Sequence, residues 1–356
     1  MNKLKIPLSV ISFLIIILFQ SCTDMLCVLS GYKPSDIKGN LQTPEPGTQI
    51  SARCNLITKY VEKFSANPDS MYRSNKKYLN IFKPRVNNVH DINIAASGHD
   101  IPARIYCDVR DRQRENLPVI IFYHGGGFVW GSTDVFDRLC RKMATETETV
   151  FVSVDYRLAP EYPFPAAIND SYRALKWVKA NIRQYGGDPD KIIVMGESAG
   201  GNLAAAMPLV SRDSCGPGII AQVIICGALT FEETIYPSRK YFLSDDRSYL
   251  VSEGYLHRCK SQYLQNNVEA SHSYVSPLSA DIDIGMPPAM IITAQCDPLR
   301  DEGREYAAKL QEAGINVMYR EYEGMIHAFM NFYPFLDKAR MAINDVDAFI
   351  DTLAYN

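Results

Sequence analysis

Lys191-Ile192-Ile193-Val194-Met195-Gly196-Glu197-Ser198-Ala199-Gly200-Gly201-Asn202 changes character in its middle. Ile192 to Met195 is a short apolar run dense in β-branched residues, the pattern of a buried strand. Just beyond it, Leu203-Ala204-Ala205-Ala206-Met207 is built from good helix formers. A strand therefore turns sharply into a helix with a serine at the bend, which places the chain among α/β proteins. A Cβ at Gly196 or Gly200 would crowd that crossing. Such a bend holds Ser198 in a strained conformation, its hydroxyl raised above the sheet and close to the helix N-terminus. Alone the motif is weak. G-x-S-x-G arises by chance in about one chain in ten of this length, and a glycine-rich turn without chemistry reads the same way. Residues elsewhere decide.

Outward from this stretch, strand and helix patterns alternate. Strands are predicted at Val119–Tyr123, Val150–Val154, Ile192–Met195, Ala221–Ile225, Met290–Thr293 and Val317–Glu321. An opening antiparallel hairpin is predicted from Ile92-Asn93-Ile94 and Ile101–Ile105, joined by Ser97-Gly98-His99-Asp100. Helices are predicted at Asp134–Thr147, Ala166–Gln184, Asn202–Val210, Glu302–Glu312 and Lys338–Leu353. The second of these carries Ile168, Tyr172, Leu175, Val178 and Ile182 on one face. This order implies a mainly parallel sheet with helices on both sides. Between Thr230 and Gly285 the pattern breaks into an aromatic segment longer than a crossover needs, as a cap over the strand ends would be.

Acyl transfer by a serine needs a base, a group to orient it, and donors for an oxyanion. Of six histidines, His327 lies in Gly324-Met325-Ile326-His327-Ala328-Phe329, just after the last predicted strand. A base with a near-normal imidazole pKa would give activity rising through about pH 6–7. Asp297, directly after Met290–Thr293, is the candidate orienting acid. Asp301 competes, but reads equally well as a helix N-cap before Glu302. His124-Gly125-Gly126-Gly127-Phe128 follows the strand Val119–Tyr123, and its glycines let backbone N–H groups face a ligand closely. A phosphate cradle does not fit, because Trp130 stands at the last glycine position and no G-K-[ST] occurs. An oxyanion loop, completed by the N–H of Ala199, does fit. The order Ser198, Asp297, His327 is that of α/β-hydrolases.

HGGGF at His124–Phe128, DYRLAPE at Asp155–Glu161, YPFPAA at Tyr162–Ala167, GDP at Gly187–Pro189, GESAGGN at Gly196–Asn202, DPLRDEG at Asp297–Gly303 and GMIHAF at Gly324–Phe329 appear in that order. Together they resemble the hormone-sensitive-lipase-like family of α/β-hydrolases, from about Val119 to the C-terminus. The resemblance implies an eight-stranded α/β-hydrolase sheet with a helical cap, and carboxylic ester hydrolysis without a cofactor. It assigns Ser198 as nucleophile, Asp297 as acid and His327 as base, with oxyanion donors at Gly126, Gly127 and Ala199. It makes His124 a brace for the loop, and Asp155 with Arg157 a buried support pair. It also implies a cap built from an N-terminal segment and an insertion. A small or short-chain ester is the expected substrate. Amide or formamide hydrolysis on the same scaffold is the alternative within enzymes, and a catalytically dead binding protein the alternative outside them.

The chain has 356 residues, 47% hydrophobic and 22% charged, enough to bury a large core. Its net charge of −3 gives no general reason to bind nucleic acid or an anionic membrane. Nine cysteines include no C-x-x-C and no zinc-like cluster, so no metal site is expected. Lys3 and Lys5 precede an apolar run from Ile6 to Phe19 of signal-peptide length. Ser21-Cys22 then resembles a bacterial lipobox, with Phe19 where leucine is usual. The expected organisation is a signal peptide over 1–21, lipidation at Cys22, a tether over 22–50, cap helices over 51–86 and the hydrolase domain over 87–356, with the cap insertion at about 231–284. Export to a bacterial envelope, with membrane attachment through the lipid, follows from that reading; plain secretion or an uncleaved N-terminal anchor is the alternative. Ile57, Tyr60, Val61 and Phe64 at helical spacing, with Phe231, Tyr236, Tyr241, Phe242, Tyr249 and Tyr255 in the insertion, are expected to pack as the lid.

Overall fold

The computed structural model describes residues 51, 54, 83–107, 116–233, 236–243, 250–265 and 268–354. Ile57, Tyr60, Val61, Phe64 and Tyr249, with everything expected of the leader and Cys22, lie outside them. The described elements run β1 (Asn88–Ala96), β2 (His99–Cys107), β3 (Leu117–Tyr123), α1 (Thr133–Glu146), β4 (Val150–Val154), α2 (Ala166–Asn181), β5 (Gly187–Glu197), α3 (Ala199–Asp213) and β6 (Ala221–Ile225). Then follow α4 (Pro237–Leu243), α5 (Glu253–Tyr263), β7 (Ala289–Cys296), α6 (Arg300–Glu312), β8 (Val317–Ile326) and α7 (Asp337–Ala354).

The eight strands form one sheet in the order β1-β2-β4-β3-β5-β6-β7-β8. β1 pairs antiparallel with β2, and β2 antiparallel with β4; every other pairing is parallel. In the central strands both faces are buried, and the period of two divides their side chains between two cores. Val119, Ile121 and Tyr123 of β3 join Val152, Ile192 and Val194 in one core, against α2, α3 and α6. Ile120 and Phe122 join Phe151, Ile193 and Met195 in the other, where Phe136 and Met143 of α1 and Ile343, Val346 and Phe349 of α7 close the layer.

This topology brings the motifs together. The strand order reverses between β3 and β5, and a ligand site forms where strands diverge in this way. Tyr123 stands opposite Gly196 in the β3–β5 register, so the loop opening at His124 and the bend at Ser198 emerge side by side. Cys296 stands opposite Ile326 in the β7–β8 register, so Asp297 and His327 do the same. β8 runs to Ile326, five residues past the sequence-based limit at Glu321. Gly324, at φ +70°, hid that extension, and the register shifts between Ala294 and Cys296 beside it.

Candidate active site

Ser198 has φ 57° and ψ −117°, a conformation that side-chain-bearing residues rarely adopt. It is held there from several sides. Its N–H donates to Ile225 O (2.9 Å), and its carbonyl accepts from Asn202 N (3.1 Å) and Ala228 N (3.1 Å). The two glycines are needed for contact rather than for their φ angles. A Cβ on Gly196 would stand 2.0 Å from Gly200 O, and one on Gly200 would stand 1.9 Å from Tyr123 O. Only with both absent can α3 start directly against the ends of β3 and β5.

The hydroxyl of Ser198 faces His327. Nε2 of His327 lies 3.0 Å from Ser198 Oγ, and its Nδ1 lies 2.8 Å from Asp297 Oδ2. The carboxylate can only accept, so Nδ1–H donates to Asp297 and leaves Nε2 free to accept the serine proton. Asp297 is fully buried and its other oxygen accepts from Leu299 N (2.9 Å), which fixes the carboxylate plane. Burial disfavours the charged imidazole of His327, but the neighbouring Asp297 carboxylate, with Glu197 and Glu302 behind it, outweighs that. Its pKa is therefore held above the ordinary value, higher than the unperturbed imidazole expected from sequence.

The loop after β3 is shaped by backbone that tolerates no side chain. Gly126 has φ +126°, and a Cβ there would meet Trp130 O at 2.0 Å; its own carbonyl accepts from Val129 N and Trp130 N. Gly127 follows at φ +63°. Gly127 and Ala199 line the cavity beside Ser198, and Gly126 stands one residue behind. His124 lies under this loop, buried and stacked on Tyr156 at 4.3 Å, its Nδ1 against Gly125 O (2.9 Å). Burial lowers its pKa, so it is a neutral packing group.

The insertion covers this arrangement. Tyr263 of α5 stacks on Phe128 with ring centroids 3.8 Å apart, and a Cβ on Gly127 would stand 2.2 Å from Cys259 Sγ. α4 is tied to the segment after Asp297. Ser238 N donates to Asp301 (2.8 Å), Ser238 Oγ to Pro298 O (2.9 Å), and Arg239 to the buried Glu302 through Nε (2.9 Å) and Nη2. Leu229 N and Thr230 N also donate to Glu302; burial pushes its carboxyl up to about 7, against the pull of these donors and Arg239. The cavity left beneath is about 510 Å³, lined by Ser198, Gly127 and Phe128 from the domain and by Arg239, Leu243, Val251, Tyr255, Leu256 and Cys259 from the insertion.

Two sequence expectations are corrected. Asp155 and Arg157 are not a buried pair. Both are half-buried, and Asp155 accepts from Thr133 N at the start of α1. Arg157 instead grips Asp170 of α2 through Nε (2.8 Å) and Nη2 (2.9 Å), with His99 Nε2 against the same carboxylate at 2.9 Å. Each is engaged by a different helix, Asp155 by the start of α1 and Arg157 by α2. Asp301 is not an N-cap, because α6 already starts at Arg300 and the cap position belongs to Leu299.

Sequence reasoning missed four groups beside the site. Glu197, buried, receives both its hydrogen bonds from Asn331. Arg239 and Glu302 form the ion pair already described. Cys226, at the end of β6, places its thiol with Asp297 and His327 so that their ligand atoms lie within 4.8 Å of one another. Burial pushes that thiol well above its ordinary pKa, and a protonated thiol beside a committed His–Asp pair is a poor metal ligand. No sequence pattern marks these groups, since each partner lies far away along the chain. The seven described cysteines are all free.

Residues 120–331 match the α/β-hydrolase fold family. The chain is 39% identical over 237 residues to carboxylesterase NlhH of Mycobacterium tuberculosis, a match covering 65% of this chain and 72% of that one. It is 31% identical over 245 residues to ethyl acetate hydrolase of Pseudomonas putida, covering 68% and 75%. Among solved structures, an esterase of Pyrobaculum calidifontis superposes with a TM-score of 0.76 at 38% identity, over 84% of this chain and 98% of that one.

Proposed function

The chain belongs to the hormone-sensitive-lipase-like family of α/β-hydrolases, and from that premise we propose that it hydrolyses small carboxylic esters with short acyl chains through an acyl-enzyme on Ser198. The observation that carries this reading is His327 bridging Ser198 Oγ and Asp297 at 3.0 and 2.8 Å. His327 Nε2 takes the hydroxyl proton as Oγ attacks the ester carbonyl carbon. Asp297 holds the imidazole in the tautomer that can accept it and stabilises the imidazolium that results. The carbonyl oxygen becomes an oxyanion received by N–H groups of Gly126, Gly127 and Ala199, an arrangement worth about 10²–10³ in rate per donor. As the intermediate collapses, His327 returns the proton to the leaving alcohol. Water then attacks the acyl-enzyme by the same steps in reverse and releases the acid and Ser198.

A cavity of about 510 Å³ walled on one side by α4 and α5 supports a small substrate, as does the likeness to an ethyl acetate hydrolase. The test is a series of p-nitrophenyl esters from acetate to palmitate. kcat/KM should peak at acetate to butyrate and fall steeply with longer chains; a maximum at palmitate refutes the short-chain reading.

Export and lipidation at Cys22 are part of the proposal, supported by the Ile6–Phe19 run and Ser21-Cys22. No helix among the described residues is long and apolar enough to cross a membrane. Palmitate labelling in a bacterial host should mark the chain and be lost in Cys22→Ala; labelling that survives that change removes the anchor from Cys22. The segment over 51–86 is proposed as the second half of the cap. Ser51 N donates to Gly324 O (3.0 Å), and Cys54 is buried against Met325, two residues before His327 in the chain. Removing residues before Asn87 should then lower activity and melting temperature, and finding both unchanged makes the segment a spacer.

A further inference from the structure

The residue before Ser198 is a buried glutamate to which the mechanism above gives no role. Glu197 is 2% exposed at the end of β5. Both its oxygens accept from one nitrogen, Asn331 Nδ2, at 2.9 and 2.7 Å. The same nitrogen lies 3.2 Å from Ala328 O, and Asn331 N donates to that carbonyl as well (3.2 Å). Three acceptors around Nδ2 fix the orientation of the amide. Ala328, the residue after His327, has φ +56° and needs such support. Arg138 of α1 completes the anchorage by donating to Asn331 O at 2.7 Å. Asn331 thus links the residue before the nucleophile to the turn carrying the base.

Glu302, equally buried, receives N–H groups from Arg239, Leu229 and Thr230, yet burial raises its carboxyl to about 7 as well. Among the described residues Glu197 has a single amide for both oxygens, poor compensation for a buried charge. Across the other elements packed near it stand the His327 imidazole, the Asp297 carboxylate and the Cys226 thiol. Only the imidazole can become positive, and it does so when it takes the proton of Ser198. The Glu197 charge is therefore compensated better in the transition state than before it, which is the condition for a group to accelerate the step.

We propose that Glu197, clamped by Asn331, is a positioning residue for His327: it holds the turn that carries the imidazole and stabilises the imidazolium formed during proton transfer. This rests on the esterase mechanism proposed above. Burial pushes its carboxyl up to about 7, the His327 charge and the Asn331 hydrogen bonds pull it down, and Asp297 adds to the rise. The charge is accordingly present through the alkaline side of neutrality, where His327 is free to act as a base.

The test compares the full chain with Glu197→Gln, which keeps shape and an acceptor for Asn331 but removes the charge. With p-nitrophenyl acetate, kcat should fall about tenfold with KM within about twofold. The acid limb of kcat/KM should move about half a unit or more to lower pH, since His327 loses an anionic neighbour. Titration of His327 by NMR, with no substrate present, should move the same way. Asn331→Ala, which leaves the backbone hydrogen bonds and Glu197 in place, should shift both readings in the same direction by less, and it carries the test if Glu197→Gln does not fold. An unmoved acid limb and NMR titration, or a kcat within twofold of the parent, overturns the proposal, because a packing or hydrogen-bonding role is served by glutamine. The NMR reading does not depend on turnover, so a failure of the Ser198 mechanism would show separately, as hydrolysis surviving Ser198→Ala.

Discussion

Ser198, Asp297 and His327 are each the first residue beyond a parallel strand, whereas the wall facing them is made by two short helices tied to the domain at a few points. The strand ends are set by ladders that run through both cores, and little can move there without disturbing β3, β5, β7 and β8 together. α4 and α5 hang instead from Ser238 and Arg239 on one side and from the Tyr263–Phe128 stack on the other. Chemistry is placed on the part that cannot shift, and substrate fit on the part held by separable contacts. Changes at the two regions should accordingly divide between kcat and KM.

The largest effects belong to the strand ends. Ser198→Ala and His327→Ala should each lower kcat by about 10⁵-fold or more with the fold intact, leaving what oxyanion stabilisation and binding supply. Asp297→Asn should cost about 10⁴-fold, since an amide favours the wrong tautomer of His327. Steady-state kinetics beside thermal melting checks all three. A variant that melts like the parent and keeps a tenth of its kcat would remove that residue from the mechanism.

At the cap, Arg239→Ala leaves Glu302 buried without its guanidinium, a loss on the order of 3–5 kcal/mol. In a domain of this size that should lower the melting temperature by roughly 10 °C. KM should rise more than kcat falls, because the wall of the cavity loosens while the strand ends stay in register. A fall in kcat alone would break the division drawn here.

The pH dependence follows from His327. Its pKa is raised in the folded protein, and it must be neutral to act, so kcat/KM should climb with pH and reach half-maximum above about 6.5, the unperturbed imidazole value. The same shift means that its interaction with Asp297 favours the folded state fully below that unperturbed value. The contribution is lost as pH rises through the folded pKa. A half-maximum below 6 contradicts this electrostatic account.

Asp301→Asn should have the smallest effect, within about threefold in kcat/KM. Its two oxygens serve Ser238 N and Arg300, an amide keeps one of those acceptors, and neither contact is to Ser198 or His327. A loss matching that of Asp297→Asn would exchange the two roles.

The strands were legible because a parallel sheet buried on both faces writes itself as continuous β-branched runs, as at Ile192–Met195 and Val150–Val154. The elbow, the HGGGF loop and the bends at Asp297 and His327 were legible because each is a local constraint, set by glycines or by a turn at a strand end. What could not be read are pairings that depend on which elements become neighbours. Arg157 finds Asp170 thirteen residues on, Arg239 finds Glu302, and Glu197 finds Asn331 only because the segment after β8 reaches back across the strand ends to the elbow. β8 itself was cut short in the sequence reading because Gly324 looks like an end and is in fact an irregularity within the strand.

Ser198, activated by His327, should be the residue that forms the covalent bond. Treatment of the full chain with a fluorophosphonate ester, followed by peptide mapping by mass spectrometry and an activity assay on the same sample, tests it directly. One phosphonyl group per chain is expected, on Ser198, with activity lost in proportion to labelling and labelling greatly slowed in His327→Ala. Labelling at another residue, or ester hydrolysis that survives complete modification of Ser198, would contradict it.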